Sequence, residues 1–118
     1  MAVTGPDFIS LQVRDIERAA AFYEQQLGLT RIPGPPHAIV FGTTPAAFAV
    51  REALPGVDLA QPGTGIALWM LAPDAADIHE RLVAAGTTIT SEPVNGPFGF
   101  TFTFADLDGY QVTLHDKA

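Results

Sequence analysis

Two segments of the chain carry apolar residues at helical spacing, and each has start and stop signals. The first begins with Asp15 as a good N-cap residue and ends at Gly28. The second begins at Asp74 and ends at Gly86. The apolar positions are Ile16, Ala19, Ala20, Tyr23 and Leu27 in the first helix and Ala75, Ile78, Leu82 and Ala85 in the second. The two starts lie 59 residues apart in a chain of 118 residues, which indicates an internal repeat.

Short strand-like segments surround both helices, one before each helix and three after it, so each half reads β-α-β-β-β. They are Phe8–Arg14, Leu29–Ile32, His37–Phe41 and Ala46–Arg51 in the first half, and Gly65–Leu71, Thr87–Ser91, Phe98–Phe104 and Tyr110–His115 in the second. Residues 53–64 contain two prolines and two glycines and lack such periodicity. We expect one domain over residues 1–118, with modules at about 6–52 and 65–116 joined by this linker.

Alternation along the strands predicts which residues share a face. In the first strand Phe8, Ser10 and Gln12 lie on one face, and the opposite face is expected to pack beneath the first helix. In the seventh strand every second residue is phenylalanine, which predicts a row of Phe98, Phe100, Phe102 and Phe104. Alternation alone leaves two interpretations of the mixed polar and aromatic faces open. They line a cleft inside a curved sheet, or they are the solvated faces of ordinary sheets.

Composition narrows the classes of partner. Thirteen acidic and six basic residues give a formal charge of -7, which repels a phosphate backbone, so no nucleic acid partner is expected. No apolar run approaches the roughly 20 residues of a membrane-spanning helix, and the first residues lack a signal-peptide pattern. We therefore expect a cytoplasmic protein without a membrane partner. The absence of cysteine excludes a thiol nucleophile, a disulfide framework and an iron–sulfur cluster.

Several short motifs, in order and at matching spacing, carry a resemblance to a known family. They are Val13-Arg14-Asp15, Ala20-Ala21-Phe22-Tyr23, Leu27-Gly28-Leu29, Arg81–Gly86 and the turn Asp106-Leu107-Asp108-Gly109-Tyr110, in which Asp106 and Asp108 are expected to shape the turn. Together they resemble the vicinal oxygen chelate superfamily of glyoxalases, bleomycin-resistance proteins and extradiol dioxygenases. The resemblance covers almost the whole chain. It implies an α+β fold in which two tandem βαβββ modules form curved mixed sheets around a cleft, usually in a homodimer.

The resemblance also assigns positions for the divalent metal that enzymes of this family hold with His and Glu or Gln. Seven residues before Asp15 the family commonly has a His, and this chain has Phe8. The equivalent position in the repeat is Ala67 or, because Ala72-Pro73 leaves the register of that strand open, one of its neighbours Gly65, Ile66 and Leu68. The position of the last ligand, a Glu, is occupied by Thr113. None of these side chains offers an imidazole or a carboxylate. We therefore expect a cleft without metal or other cofactor, and whether the chain catalyses a reaction stays open.

Aromatic and neutral polar residues are the candidate ligand contacts. The set is Phe8, Ser10, Gln12, Trp69, Phe102, Thr113 and His115. Such a lining suits a small hydrophobic or aromatic molecule with hydrogen-bonding edges. For Trp69 and for the phenylalanine row, packing inside the core is the alternative interpretation.

Three functions follow as hypotheses. The first is a metal-free protein that binds or sequesters a small hydrophobic or aromatic molecule, as the resemblance to bleomycin-resistance proteins implies. The second is a metal-dependent lyase, isomerase or dioxygenase with ligands from unusual positions, such as His37, Glu52 or His115. The third is an interaction module that has no small ligand.

Overall fold

The repeat seen in the sequence is a repeat of structure. In the computed structural model, which describes residues 2–118, a first unit ends at Val57 and a second runs from Asp58 to Ala118. Each unit has the element order β-α-β-β-β and contains one four-stranded mixed sheet and one helix. The α+β class and the two-module architecture are thus confirmed. No helix in residues 2–118 is long and apolar enough to cross a membrane.

The first unit consists of β1 (Phe8–Val13), α1 (Ile16–Leu27), β2 (Arg31–Ile32), β3 (Ala38–Phe41) and β4 (Ala47–Glu52). Its sheet has the order β1-β4-β3-β2, so the first strand of the unit lies at one edge and pairs with the last. That pair is parallel, and the other two pairs are antiparallel. A parallel pair needs a long connection between its strands, which α1 and the two following strands supply.

Helix α1 has both of the predicted end signals. The Asp15 carboxylate accepts a hydrogen bond from the backbone N–H of Arg18 at 3.1 Å, and Gly28 ends the helix with φ of 74°. The buried face includes Phe22 in addition to the predicted Ala19, Ala20 and Tyr23. The Tyr23 ring packs edge-on against Phe48 of β4 with 5.0 Å between ring centroids.

An exposed ion-pair group ties β2 to α1. The Arg31 guanidinium donates to both carboxylate oxygens of Glu24, at 2.9 and 3.0 Å, and to Glu17 at 3.2 Å. The hydrogen bonds from Arg31 hold the pKa of Glu24 below its ordinary value, because they favour the ionised carboxylate. The two carboxylates in turn raise the pKa of Arg31.

The second unit consists of β5 (Leu68–Leu71), α2 (Ala75–Ala84), β6 (Ile89–Gly96), β7 (Gly99–Ala105) and β8 (Gln111–His115). Its order β5-β8-β7-β6 repeats that of the first unit, with a parallel pair between its first and last strands. Strand β6 continues beyond its predicted end at Ser91. Its pairing with β7 shifts register between Ile89 and Ser91 and between Ser91 and Val94, which accommodates the proline in this edge strand.

Helix α2 departs from two expectations. The Asp74 side chain makes no capping hydrogen bond, because its backbone lies at φ −102° and ψ 31° and not in the extended region of a usual N-cap. Ala85, predicted on the apolar face, is the exposed C-cap residue. Ala75, Ile78 and Leu82 are buried as predicted, and Gly86 follows with φ of 81°.

Three of the four phenylalanines predicted to form a row on β7 do lie in that row. Phe100, Phe102 and Phe104 follow one another at centroid distances of 6.0 and 6.2 Å. They lie on the face beneath α2, where the rings of His79 and Phe102 are in contact with 4.9 Å between their centroids. Phe98 is the exception, because it lies in the two-residue turn between Gly96 and Gly99, and Gly99 has φ of 77°. Strand alternation does not extend through such a turn, so the prediction for Phe98 was wrong.

The turn before β8 is organised by a buried carboxylate. Asp106 Oδ1 accepts hydrogen bonds from the backbone N–H groups of Asp108 and Tyr110, each at 2.9 Å. The backbone carbonyl of Asp106 accepts a further bond from Gly109 N–H at 3.1 Å. The prediction that Asp106 shapes this turn is confirmed, and its carboxylate is committed to that task.

Candidate functional site

Each sheet has one face covered by its helix and an opposite face, which we call the open face. In the first unit the alternation predicted for β1 is confirmed, since Leu11 and Val13 are buried while Phe8 and Ser10 are exposed. Phe8 and Ser10 pair in register with Ala47 and Ala49 of β4, so these residues share the open face. This face therefore offers one exposed aromatic ring and a hydroxyl, whereas Ala49 is fully buried.

Gln12 shares that face but has a structural partner. Its side-chain oxygen accepts a hydrogen bond from the backbone N–H of Leu54 at 2.8 Å. The bond joins β1 to the segment that follows β4, 42 residues later. Sequence reasoning missed this role because the partner is remote in the chain and is a backbone group.

The open face of the second unit combines aromatic and hydroxyl groups. Trp69 pairs in register with Thr113, and Thr113 pairs with Thr103, so all three side chains lie on this face. The two threonine oxygens are 2.7 Å apart. One hydroxyl donates to the other, and Thr113 is buried while Thr103 is half-buried.

Three rings on this face contact one another and form what we call the aromatic cluster: Trp69, Phe98 and His115. Trp69 lies 5.5 Å from each of the other two rings, and Phe98 and His115 are 5.9 Å apart. Trp69 and Phe98 are each 47% exposed. The alternative interpretation of Trp69 as a core residue is therefore wrong. Phe98, which the sequence analysis placed in the β7 row, joins the site instead.

Residues 98–100 are held to the chain end that carries His115. The Asp116 carboxylate accepts from Phe100 N–H at 2.9 Å, and Lys117 N–H donates to the carbonyl of Phe98 at 3.0 Å. The His115 ring is fixed as well, because its Nδ1 lies 2.8 Å from the carbonyl oxygen of Lys117. The cluster is thus positioned by backbone contacts on two of its three members.

Phe102 is the predicted contact that the structure places elsewhere. It is 1% exposed and packs beneath α2, on the face of the sheet opposite to Trp69 and Thr113. Alternation grouped the phenylalanines correctly but did not say which face the helix covers. Phe102 is a core residue, and we remove it from the candidate site.

The residues present do not fit the divalent metal that the family resemblance implies. Phe8 and Ala67 have no donor atom in their side chains, and the Thr113 hydroxyl is paired with Thr103. His37 and Glu52 pair with each other at 3.2 Å as exposed groups. Within residues 2–118, no three His, Asp or Glu side chains come close enough to hold a metal ion. The ligand set of the second hypothesis, with His115, does not assemble.

The comparison with protein families agrees with the fold. The model of the Glyoxalase/Bleomycin resistance protein/Dioxygenase superfamily matches residues 5–114. No curated protein matches the chain in sequence.

Solved structures show the same fold at low identity. TnmS3, an antibiotic binding protein from Streptomyces sp. CB03234, has a TM-score of 0.77 at 23% identity over 100% of this chain and 99% of that one. A glyoxalase-related enzyme from Fulvimarina pelagi has a TM-score of 0.75 at 23% identity over 98% and 89%. A glyoxalase/bleomycin resistance protein from Streptomyces sp. CB03234 has a TM-score of 0.72 at 24% identity over 95% and 100%. At these identities the likeness concerns the fold.

Proposed function

The chain belongs to the Glyoxalase/Bleomycin resistance protein/Dioxygenase superfamily, and we propose that it binds a small hydrophobic or aromatic molecule without a metal. The aromatic cluster carries this proposal, because a half-exposed tryptophan and a half-exposed phenylalanine in contact with each other form an apolar surface that a flat ring can cover. The residues at the metal positions support the metal-free part, since their side chains do not fit a divalent ion.

The exposed rings supply a limited amount of binding energy. An aromatic side chain buries about 150–250 Å² in full, so half of each of two rings corresponds to roughly 200 Å² in total. At about 25 cal/mol per Å², covering that area contributes about 5 kcal/mol. Association itself costs several kcal/mol, so the cluster alone supports weak binding. Tight binding requires further contacts, for which the hydroxyl pair Thr103 and Thr113 is a candidate.

The printed name of one structural neighbour points in the same direction. TnmS3 is described as an antibiotic binding protein. An antibiotic with a flat aromatic part is accordingly one candidate ligand class for this chain. Anionic ligands are disfavoured, because the net charge of -7 repels them.

The test combines metal analysis with a ligand screen. Protein purified without chelators is expected to contain far less than one divalent metal per chain. Trp69 is the only tryptophan, so its fluorescence reports binding at the cluster, and aromatic compounds should change it saturably. Calorimetry on a Trp69→Ala variant should show weakened binding, with Val83→Ala, which truncates an exposed apolar side chain of α2 outside the candidate site, as the control. A stoichiometric metal would overturn the proposal and favour the metal-dependent enzyme, and the absence of any ligand would favour the interaction module.

Two further expectations from the sequence belong to the proposal. We expect a homodimer located in the cytoplasm. Sedimentation at micromolar concentration should give about twice the chain mass of 12.5 kDa. A monomer at that concentration would contradict the expected assembly without touching the ligand proposal.

A further inference from the structure

One nitrogen of the aromatic cluster has a protonation state that the structure defines. His115 Nδ1 lies 2.8 Å from the carbonyl oxygen of Lys117. A carbonyl oxygen only accepts hydrogen bonds, so Nδ1 is the donor and carries a proton. In the neutral ring the other nitrogen, Nε2, then has a lone pair and acts as an acceptor. The backbone of the chain end therefore selects the tautomer of this side chain.

The acceptor is not used within the protein. Among residues 2–118 no hydrogen-bond donor reaches Nε2 of His115. The nearby Asp116 carboxylate accepts the backbone N–H of Phe100 through Oδ1. The cluster thus combines two half-exposed rings, of which Trp69 also carries an indole N–H donor, with one side-chain acceptor on a third ring that contacts both of them.

From this arrangement we infer that the aromatic cluster selects flat aromatic ligands that carry a hydrogen-bond donor on their edge, such as a phenolic O–H or a ring N–H. The ligand ring covers Trp69 and Phe98, and its donor bonds to Nε2 of His115. The inference rests on the proposed function, because it names the ligand class of the same surface. The discrimination arises from an uncommitted acceptor, which loses its water on binding and gains a partner only from a donor ligand.

The experiment uses two probes that differ in the donor alone. Both 2-naphthol and 2-methoxynaphthalene present the same bicyclic ring, but the ether has no O–H. Their dissociation constants are measured by following the single indole N–H signal of Trp69 by NMR in the full chain. His115→Phe keeps a ring in the cluster and removes the acceptor. His37→Phe is the matched control, because it removes the exposed imidazole of the residue directly before β3, which is not part of the cluster.

The affinity ratio between the probes is compared across the variants, which cancels the difference in their hydrophobicity. We expect His115→Phe to weaken 2-naphthol about 3- to 10-fold relative to the ether, the value of one neutral hydrogen bond. His115→Gln, whose amide oxygen also accepts, should restore part of the preference. The His37→Phe ratio should equal that of the wild type, and circular dichroism should show that every variant is folded.

The outcomes distinguish donor selection by His115 from binding at the aromatic cluster. If both probes bind but the ratio is unchanged in folded His115→Phe, the inferred donor selection is wrong while binding at the cluster stands. If neither probe shifts the indole signal at millimolar concentration, the inference and binding at this cluster both fail.

Discussion

Gly99 determines where Phe98 lies, and replacing it with alanine is the sharpest test of how the aromatic cluster is built. Gly99 has φ of 77°, a left-handed conformation that residues with a Cβ rarely adopt. A Cβ at this position would also collide with Oδ1 of Asp116. That oxygen is the acceptor for Phe100 N–H, so the carboxylate cannot move without losing its hydrogen bond.

The expected loss is worked out from two components. The left-handed conformation costs an alanine about 1–2 kcal/mol, partly offset by the lower entropy of the unfolded chain. Displacing Asp116 loses a hydrogen bond to a charged acceptor, worth about 1.5–3 kcal/mol. Gly99→Ala should therefore lower the free energy of unfolding by about 2.5–4 kcal/mol. Gly86→Ala has only the first component, since φ is 81° and nothing lies within 4 Å of its Cβ, so about 1 kcal/mol is expected.

The assay is urea unfolding followed by far-ultraviolet circular dichroism on the wild type and on each variant. Gly96→Ala completes the set, because a Cβ there meets nothing within 4 Å and its backbone is not left-handed. It should leave stability unchanged or slightly raised. The reasoning is refuted if Gly99→Ala loses no more than Gly86→Ala, or if adding Asp116→Ala to Gly99→Ala makes the loss fully additive.

Three other predictions concern groups away from that turn. His79→Leu should raise the free energy of unfolding by about 1 kcal/mol, because Nε2 of His79 is buried without a partner; a loss would show that the imidazole is satisfied. Thr113→Val should cost about 1 kcal/mol, and Thr103→Val with Thr113→Val should cost less than the sum, since the hydroxyls are mutual partners; strict additivity in a double-mutant cycle would contradict this. Arg31→Met should lower the free energy of unfolding above pH 4.5, where Glu24 is ionised in both the folded and the unfolded chain. The stability difference between wild type and variant should narrow as the pH falls through the lowered pKa of folded Glu24. A difference in urea midpoint that does not change with pH would refute the coupling.

Local signals in the sequence were sufficient for the architecture. The Asp15 cap, the glycine stops and the apolar spacing gave both helices within a residue or two, and the repeat gave the two modules. These features act over a few residues, so the chain alone reveals them. The missing side-chain cap of α2 could not be predicted from the sequence, because capping depends on the backbone angles of Asp74 as well as on its residue type.

The candidate site was predictable only in part, and strand β5 shows why. Its sequence Leu-Trp-Met-Leu is apolar on both faces, so alternation contains no information about which face is exposed. Only the packing of α2 decides that Trp69 is exposed and Phe102 is buried. The sequence could have shown that Phe98 lies outside the β7 row, because it stands between Pro97 and Gly99, and proline and glycine so close together are typical of a tight turn. The bond from Leu54 to Gln12 had no sequence signal.

The pairing of first and last strands in each unit has a consequence for synthesis on the ribosome. Within residues 2–118, β1 pairs with β4, so the first sheet can close once β4 has emerged and while the second unit is still being made. Strand β5 must wait for β8, which ends at His115. Until then its apolar residues have no strand beside them. A nascent chain stopped before Gln111 would therefore expose an unpaired β5, which is an edge open to pairing with other chains.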